Sequence, residues 1–370
     1  MGDSYPTVTA AAVQAAPVFL DREASAEKAC DLIGEAGDNG ADVVVFPEGF
    51  VPAHPLWFHF HPATGPVAQR LSVELFKNAV TVPGPVTEQL AAAAKEADAY
   101  VVMGVCEKVP DTTGTMYNSQ LFFSPEGELI GRHQKIKPTV GEQLVHAEGN
   151  NDTFGAVDSE FGPMSGLICG ENSNPLAVFA LTAEYSRIHA MSWPPYIPSA
   201  SNPLPQRLLD DAKAFAQMSK AHVVCAAGLV DDRTVELLEL GNDTAEKVSS
   251  AEYSGGSVIV GPGREILAGP LGNEEAILYG ELEVEKSVAR KLFHDFAGHY
   301  NRPDLFQLRI DRQRHGLYAD ASTVVEDGFE TVPNVEPAAV ERESVAERVT
   351  EDAASEGDTE SSESRVRQRE

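Results

Sequence analysis

Cys169 closes the apolar half of the run Gly166-Leu167-Ile168-Cys169-Gly170-Glu171-Asn172-Ser173-Asn174-Pro175, whose second half is polar and marked by a proline. Such a run reads as a strand that stops in a sharp turn and leads toward a helix, a setting that exposes a sulfur and lowers its pKa. A thiolate placed there is a nucleophile. The competing reading is a small buried side chain, a common fate of free cysteine. Two charged groups stand at strand ends in the same way. Asp42-Val43-Val44-Val45-Phe46-Pro47-Glu48 drives a buried strand into a break and sets the Glu48 carboxylate at its tip, where α/β sheets gather ligand groups. Leu129 to Pro138 carries Lys135 out of another strand just before a proline. Glu48 is a candidate general base and Lys135 a candidate partner for a developing oxyanion. Singly, each is also what a surface charge looks like; together they make thiol catalysis the reading to test.

These groups need a frame, and the chain supplies alternating strand and helix patterns. Strands are predicted at Val8 to Ala15, Ala41 to Phe46 and Tyr100 to Cys106, with a helix carrying the stripe Ala26, Ala29, Cys30, Ile33 between the first two and another over Val86 to Asp98. Tyr117 to Ser124 and Glu128 to Gln134 read as a hairpin through Pro125-Glu126-Gly127. Beyond Cys169 come a helix at Pro175 to Tyr185, a strand at Ile188 to Ser192, a long helix at Leu204 to Lys220, and strands at Val223 to Ala226, Ser257 to Val260 and Ile277 to Glu283. Alternation with hairpins implies an α/β fold with mixed sheets, and no repeat or linker divides it. One domain over 1–318 is the economical division. From Ala319 to Glu370 there are 15 acidic and 5 basic residues and almost no aromatics, so this segment cannot bury enough apolar area to offset its ordering and is expected to be a disordered acidic tail.

Composition narrows the partners. The chain of 370 residues carries 57 acidic and 28 basic side chains, a net charge of −29. Nucleic acid and anionic membranes are therefore poor partners, and a small molecule is the expected substrate. Only 11 of the basic residues are Lys, and an acidic, lysine-poor body resembles proteins of salt-loving organisms, where salt screens self-repulsion. Cys30, Cys106 and Cys225 fall on apolar stripes and are read as core thiols. With no CxxC pair, no leader and no apolar run of about 18 residues, a reduced, cytoplasmic, soluble protein is expected.

Glu48, Lys135 and Cys169 in that chain order, in the motifs Phe-Pro-Glu, His-Gln-Lys-Ile-Lys-Pro-Thr and Cys-Gly-Glu-Asn, resemble the nitrilase (carbon-nitrogen hydrolase) superfamily. Ser192-Trp193-Pro194, Gly255-Gly256-Ser257 and Asp295-Phe296-Ala297-Gly298-His299-Tyr300-Asn301-Arg302-Pro303-Asp304 extend the likeness from Thr7 to Leu308 and point to the nitrilase branch. The resemblance implies a four-layer αββα sandwich, paired into an αββα-αββα dimer or higher homo-oligomer, and hydrolysis of a small nitrile to acid and ammonia with no metal and no cofactor. An amidase of the same superfamily is the nearest alternative, and an idle assembly protein on this fold the alternative of another class. The resemblance also implies a fourth catalytic residue, Glu142, which would hold Lys135 and the attacking water. Two positions depart from it. Gly170 stands where the family usually has tryptophan, so the space beside the sulfur is expected to be wider, and Gln134 replaces the arginine before the lysine, which would loosen an ion pair. Trp57 and Trp193 are candidate pocket walls. His54, His59 and His61 are expected to line or cover the pocket rather than to bind a metal, and Gly261-Pro262-Gly263 is turn chemistry only.

Overall fold

The computed structural model describes residues 3–198 and 202–314. The boundary expected at 318 and the acidic segment 319–370 lie outside the described residues. Strands β1 (Thr7–Gln14), β2 (Val43–Val45), β3 (Tyr100–Lys108), β4 (Met116–Phe123) and β5 (Leu129–Gln134) belong to the first sheet, and β6 (Met164–Ile168), β7 (Ile188–Trp193), β8 (His222–Ala227), β9 (Val258–Val260) and β10 (Ile266–Ala268) to the second. β11 (Ala276–Glu283) returns to the first sheet, giving the orders β11-β1-β2-β3-β4-β5 and β10-β9-β8-β7-β6. Each sheet has a parallel run, β1-β2-β3 in one and β6-β7-β8 in the other; antiparallel strands extend the first on both sides and the second beyond β8.

The helices are α1 (Arg22–Asp38), α2 (Pro66–Asn78), α3 (Pro85–Glu96), α4 (Pro175–Ala183), α5 (Leu204–Ser219), α6 (Asp232–Leu237), α7 (Asn242–Val248) and α8 (Glu285–Lys291). Strand periodicity sorts the core into layers. Val8, Ala10 and Ala12 of β1 pack with Val43, Val45 and Val102 against Met164, Ile188, Ala190 and Val224 of the second sheet, filling the space between sheets. The alternate residues Ala11, Val13, Val44 and Val101 face Ala26, Ala29 and Ile33 of α1 and Leu90 of α3. On the far side Leu167, Met191 and Val223 face Val178 of α4 and Leu208, Ala212 and Phe215 of α5. The result is helix, sheet, sheet, helix. Strands buried on both faces explain why the sequence shows continuous apolar runs rather than alternation.

Most predicted strands and helices lie within two residues of the observed ones. α2, with only Ala68, Leu71 and Leu75 buried, carries too thin a stripe among charges to be read as a helix, and the short β10 and α6 to α8 were likewise not legible. Of the thiols read as core, Cys106 and Cys225 are buried, but Cys30 is only half-buried. It sits at the edge of the α1 stripe, where its sulfur reaches the Gln89 carbonyl. Among the described residues no helix is long and apolar enough to cross a membrane.

Candidate active site

The three strand-end groups converge. β2 ends at Val45, and the Glu48 backbone N–H donates to the carbonyl of Trp193, the last residue of β7, at 3.2 Å, so the base hangs between the sheets. The loop can cross β3 there because residue 104 is glycine. A Cβ on Gly104 would stand 2.0 Å from the Pro47 carbonyl oxygen. Lys135 continues β5, donating its backbone N–H to Asn118 of β4 at 2.7 Å, which turns its side chain inward until the residue is 1% exposed. Cys169 opens a short 3-10 turn, Cys169–Ser173, with φ at +52°. That conformation is uncommon for a side chain with a Cβ and costs on the order of 1–3 kcal/mol, so neighbours must hold it. Asn172 does part of this, donating its side-chain amide to the Cys169 carbonyl at 2.9 Å and the Leu167 carbonyl at 3.2 Å.

Glu142 joins the cluster from the 3-10 turn Val140–Leu144. The Lys135 ammonium donates to Glu48 Oε1 at 2.8 Å and to Glu142 Oε2 at 2.6 Å. Asn118, which sequence reasoning missed, spends both hydrogens of its amide on the same two carboxylates, at 2.6 Å to Glu48 Oε1 and 2.7 Å to Glu142 Oε1. Glu142 further accepts the Thr139 backbone N–H at 3.0 Å and faces His146 Nδ1 at 3.1 Å. A carboxylate offers about four acceptor sites, so Glu142 is fully engaged within the protein. Both of its oxygens thus meet protein groups, the Lys135 ammonium among them. Glu48 differs: its Oε2 is buried and without a hydrogen-bond partner.

Electrostatics separates the two carboxylates further. Burial raises the Glu48 pKa, Lys135 opposes it and the Glu142 charge adds to it, leaving Glu48 at about 7. Burial also works against an ionised Glu142, yet Lys135 and His146 outweigh it and hold its pKa well below the ordinary range. Lys135, desolvated but flanked by Glu48, Glu142 and Cys169, is held well above its ordinary value and is a fixed cation. Cys169 corrects the sequence reading. It is 5% exposed rather than presented to solvent, and burial, reinforced by the Glu48 charge, pushes its thiol up rather than down. The resting pair is thus a neutral thiol beside a carboxylate, and the proton must leave sulfur as the new bond forms.

The remaining predicted positions fall as follows. Trp193 is fully buried and packs in the same cluster as Cys169, while Trp57 is buried with Leu56 and Tyr196 in the separate cluster that covers the Glu48 loop. A Cβ built on Gly170 meets nothing nearer than Thr139 Oγ1 at 3.8 Å, so there is room for a side chain at this position. Gln134 donates to Glu107 at 3.1 Å, and Arg132, two residues earlier on the same strand face, reaches that carboxylate at 2.9 Å. His59 and His61 lie apart from the carboxylates, His59 against Tyr196 and His61 on the Leu238 carbonyl at 2.6 Å. His54 lies beside Glu48, its Nδ1 3.5 Å from Oε1. Glu48, His54 and Glu142 offer ligand atoms within 4.8 Å of one another, but the Lys135 ammonium already bridges the two carboxylates and supplies the positive charge there. A surface groove of about 640 Å³, lined by Asp210, Lys213, Arg264 and Arg290, contains none of these residues.

A buried thiol, a carboxylate with one free oxygen and a captive ammonium can form and break a covalent bond to an electrophilic carbon while passing protons. The comparisons agree with that chemistry. The carbon-nitrogen hydrolase family model matches residues 9–291. Nitrilase 2 from an unknown prokaryotic organism is 36% identical over 315 residues, which is 84% of this chain and 95% of that protein. A nitrilase from Bacillus sp. (strain OxB-1) is 32% identical over 312 residues, 84% of this chain and 89% of its own length. Saccharomyces cerevisiae Nit3, a member of branch 10 of the nitrilase superfamily, shares the fold with a TM-score of 0.60, at 19% identity over 79% of this chain and 97% of that one.

Proposed function

The chain belongs to the carbon-nitrogen hydrolase family, and we propose that within it the chain is a nitrilase, converting a small organic nitrile to its carboxylic acid and ammonia. The observation that carries the mechanism is the free, buried Oε2 of Glu48 beside a Lys135 that is already satisfied by two carboxylates. Glu48 accepts the Cys169 proton as sulfur attacks the nitrile carbon, and returns it to nitrogen to give a thioimidate. It next relays both protons of a water adding to that carbon to the nitrogen, so that ammonia leaves with the C–N electron pair and a thioester remains. A second water, activated by the same carboxylate, releases the acid and the thiol. Lys135 stabilises the negative charge at each tetrahedral stage, where loss of one such donor typically costs about 3 kcal/mol. Glu142 and Asn118 keep the ammonium in place.

A panel of nitriles and matching amides, with acid, amide and ammonia all measured, tests the reading. Acid and ammonia from at least one nitrile is the expected result; turnover of amides alone would make the chain an amidase of the same family.

The excess of 57 acidic over 28 basic residues supports a halophilic setting. In that case activity and melting temperature are higher in molar KCl than at low salt, because screening relieves like-charge repulsion; no gain from salt would remove this part. The absence of paired cysteine motifs supports a cytoplasmic home, and the family likeness a homo-oligomer.

A further inference from the structure

Cys169 and Lys135 come from different sheets, one following β6 and the other β5, yet the reaction needs a fixed distance between them. A single side chain spans the gap. Glu171, buried at 6% exposure, turns its carboxylate back under the nucleophile's turn. Its Oε2 accepts the backbone N–H of Ile168, the residue before Cys169, at 2.9 Å, and faces His133 Nε2 at 2.9 Å. Its Oε1 accepts the backbone N–H of Ile136, the residue after Lys135, in a short bond. One carboxylate therefore grips the peptide entering the nucleophile, the peptide leaving the lysine, and a histidine two residues before that lysine. Charge-assisted bonds of this kind are roughly twice as strong as neutral ones.

We propose that Glu171 is a positioning residue that sets the placement of Cys169 relative to Lys135 and Glu48, and through it the choice between acid and amide as product. The inference rests on the nitrilase reading. After the first water adds, with one of its protons on nitrogen and the other held by Glu48, the tetrahedral carbon carries O−, NH2 and the Cys169 sulfur. If nitrogen takes the proton held by Glu48, the C–N bond breaks with its electron pair going to ammonia, and the thioester left behind takes a second water to give the acid. If sulfur is nearer that proton, the C–S bond breaks, the pair goes to the thiol, and the amide leaves after only one water has been used. The two exits differ only in which leaving group the proton reaches, so a shift of the Cys169 turn relative to the Lys135 segment changes their ratio.

Glu171→Gln tests this in the full chain. A glutamine has one acceptor oxygen and an NH2 group, so it holds the Ile168 side or the Ile136 side but not both. With a nitrile that the wild type hydrolyses, the amide-to-acid ratio is expected to rise about tenfold, and kcat to fall while KM stays within about twofold. The ratio does not depend on how much protein is folded, so it separates positioning from loss of structure. His133→Asn, which removes one donor and leaves both backbone bonds, should move the ratio the same way by less. An unchanged ratio in both variants, whatever happens to kcat, would overturn the positioning role while leaving the nitrilase reading intact. A wild type that makes neither acid nor amide from any nitrile would overturn both.

Discussion

Glu48 and Glu142 face one another across the Lys135 ammonium, at 2.8 and 2.6 Å, and only Glu48 keeps an oxygen without a partner. Two residues of the same type, on the same cation, thereby receive different work. The saturated one is structural and electrostatic. The unsaturated one, with its pKa raised by burial to about 7, can exchange protons near neutrality.

That asymmetry fixes a pH dependence. The base is active as the carboxylate, so kcat/KM should rise about tenfold per pH unit below about pH 7 and level off above it, with one proton involved because Glu142 stays ionised throughout. Glu142→Gln removes a negative neighbour that raises the Glu48 pKa and leaves Lys135 paired to Glu48 alone. Both changes favour the Glu48 carboxylate, so the acid limb moves below pH 7 while the plateau rate falls. A pH profile of the two proteins checks this; a limb that moved upward would contradict the assignment of roles.

Gly104 lies so close under Pro47 that Gly104→Ala has no room without displacing the Glu48 loop. Overpacking of this sort costs typically 1–3 kcal/mol in stability. Because the displaced loop carries the base, kcat should drop by more than the folded fraction does. Melting temperature and active-site titration, measured together, distinguish this from simple unfolding.

Gly170 has the opposite character, with a Cβ meeting only Thr139 Oγ1 at 3.8 Å. Gly170→Ala should therefore fold and work nearly as the wild type does. Gly170→Trp should keep turnover of the smallest nitriles and lose that of nitriles branched or aromatic next to the reacting carbon. Comparing kcat/KM across such a series checks it; equal losses for all sizes would place the open space outside the substrate's reach.

How much of this the sequence carried follows from its physics. Glu48 and Cys169 were legible as candidates because β2 and β6, buried throughout, run as unbroken apolar segments, so a charge or thiol at their ends stands out, and Lys135 because a proline follows its strand. The four layers followed from a family likeness, while alternation of elements carried only an α/β fold with mixed sheets. The burial of Cys169 was not legible, because a turn after a strand reads the same whether it meets solvent or the opposite sheet. Asn118 lies in the middle of β4, where Asn118-Ser119-Gln120 interrupts apolar residues; that polar triplet was the only signal, and its meaning depends on the register that sets Ser119 against Gln134. That Arg132 and Gln134 share Glu107 likewise becomes visible only when strand faces are known. Glu171 and His133 meet 38 positions apart through two sheets, which no local pattern encodes.

The central claim, that Cys169 forms the covalent bond to the substrate, is tested most directly by ammonia release from Cys169→Ala with a nitrile that the wild type hydrolyses. The account predicts that turnover falls to the level of the protein-free control while the folded state persists, since Cys169 is the thiol that feels the charges of both Glu48 and Lys135. Turnover within about tenfold of the wild type would contradict it.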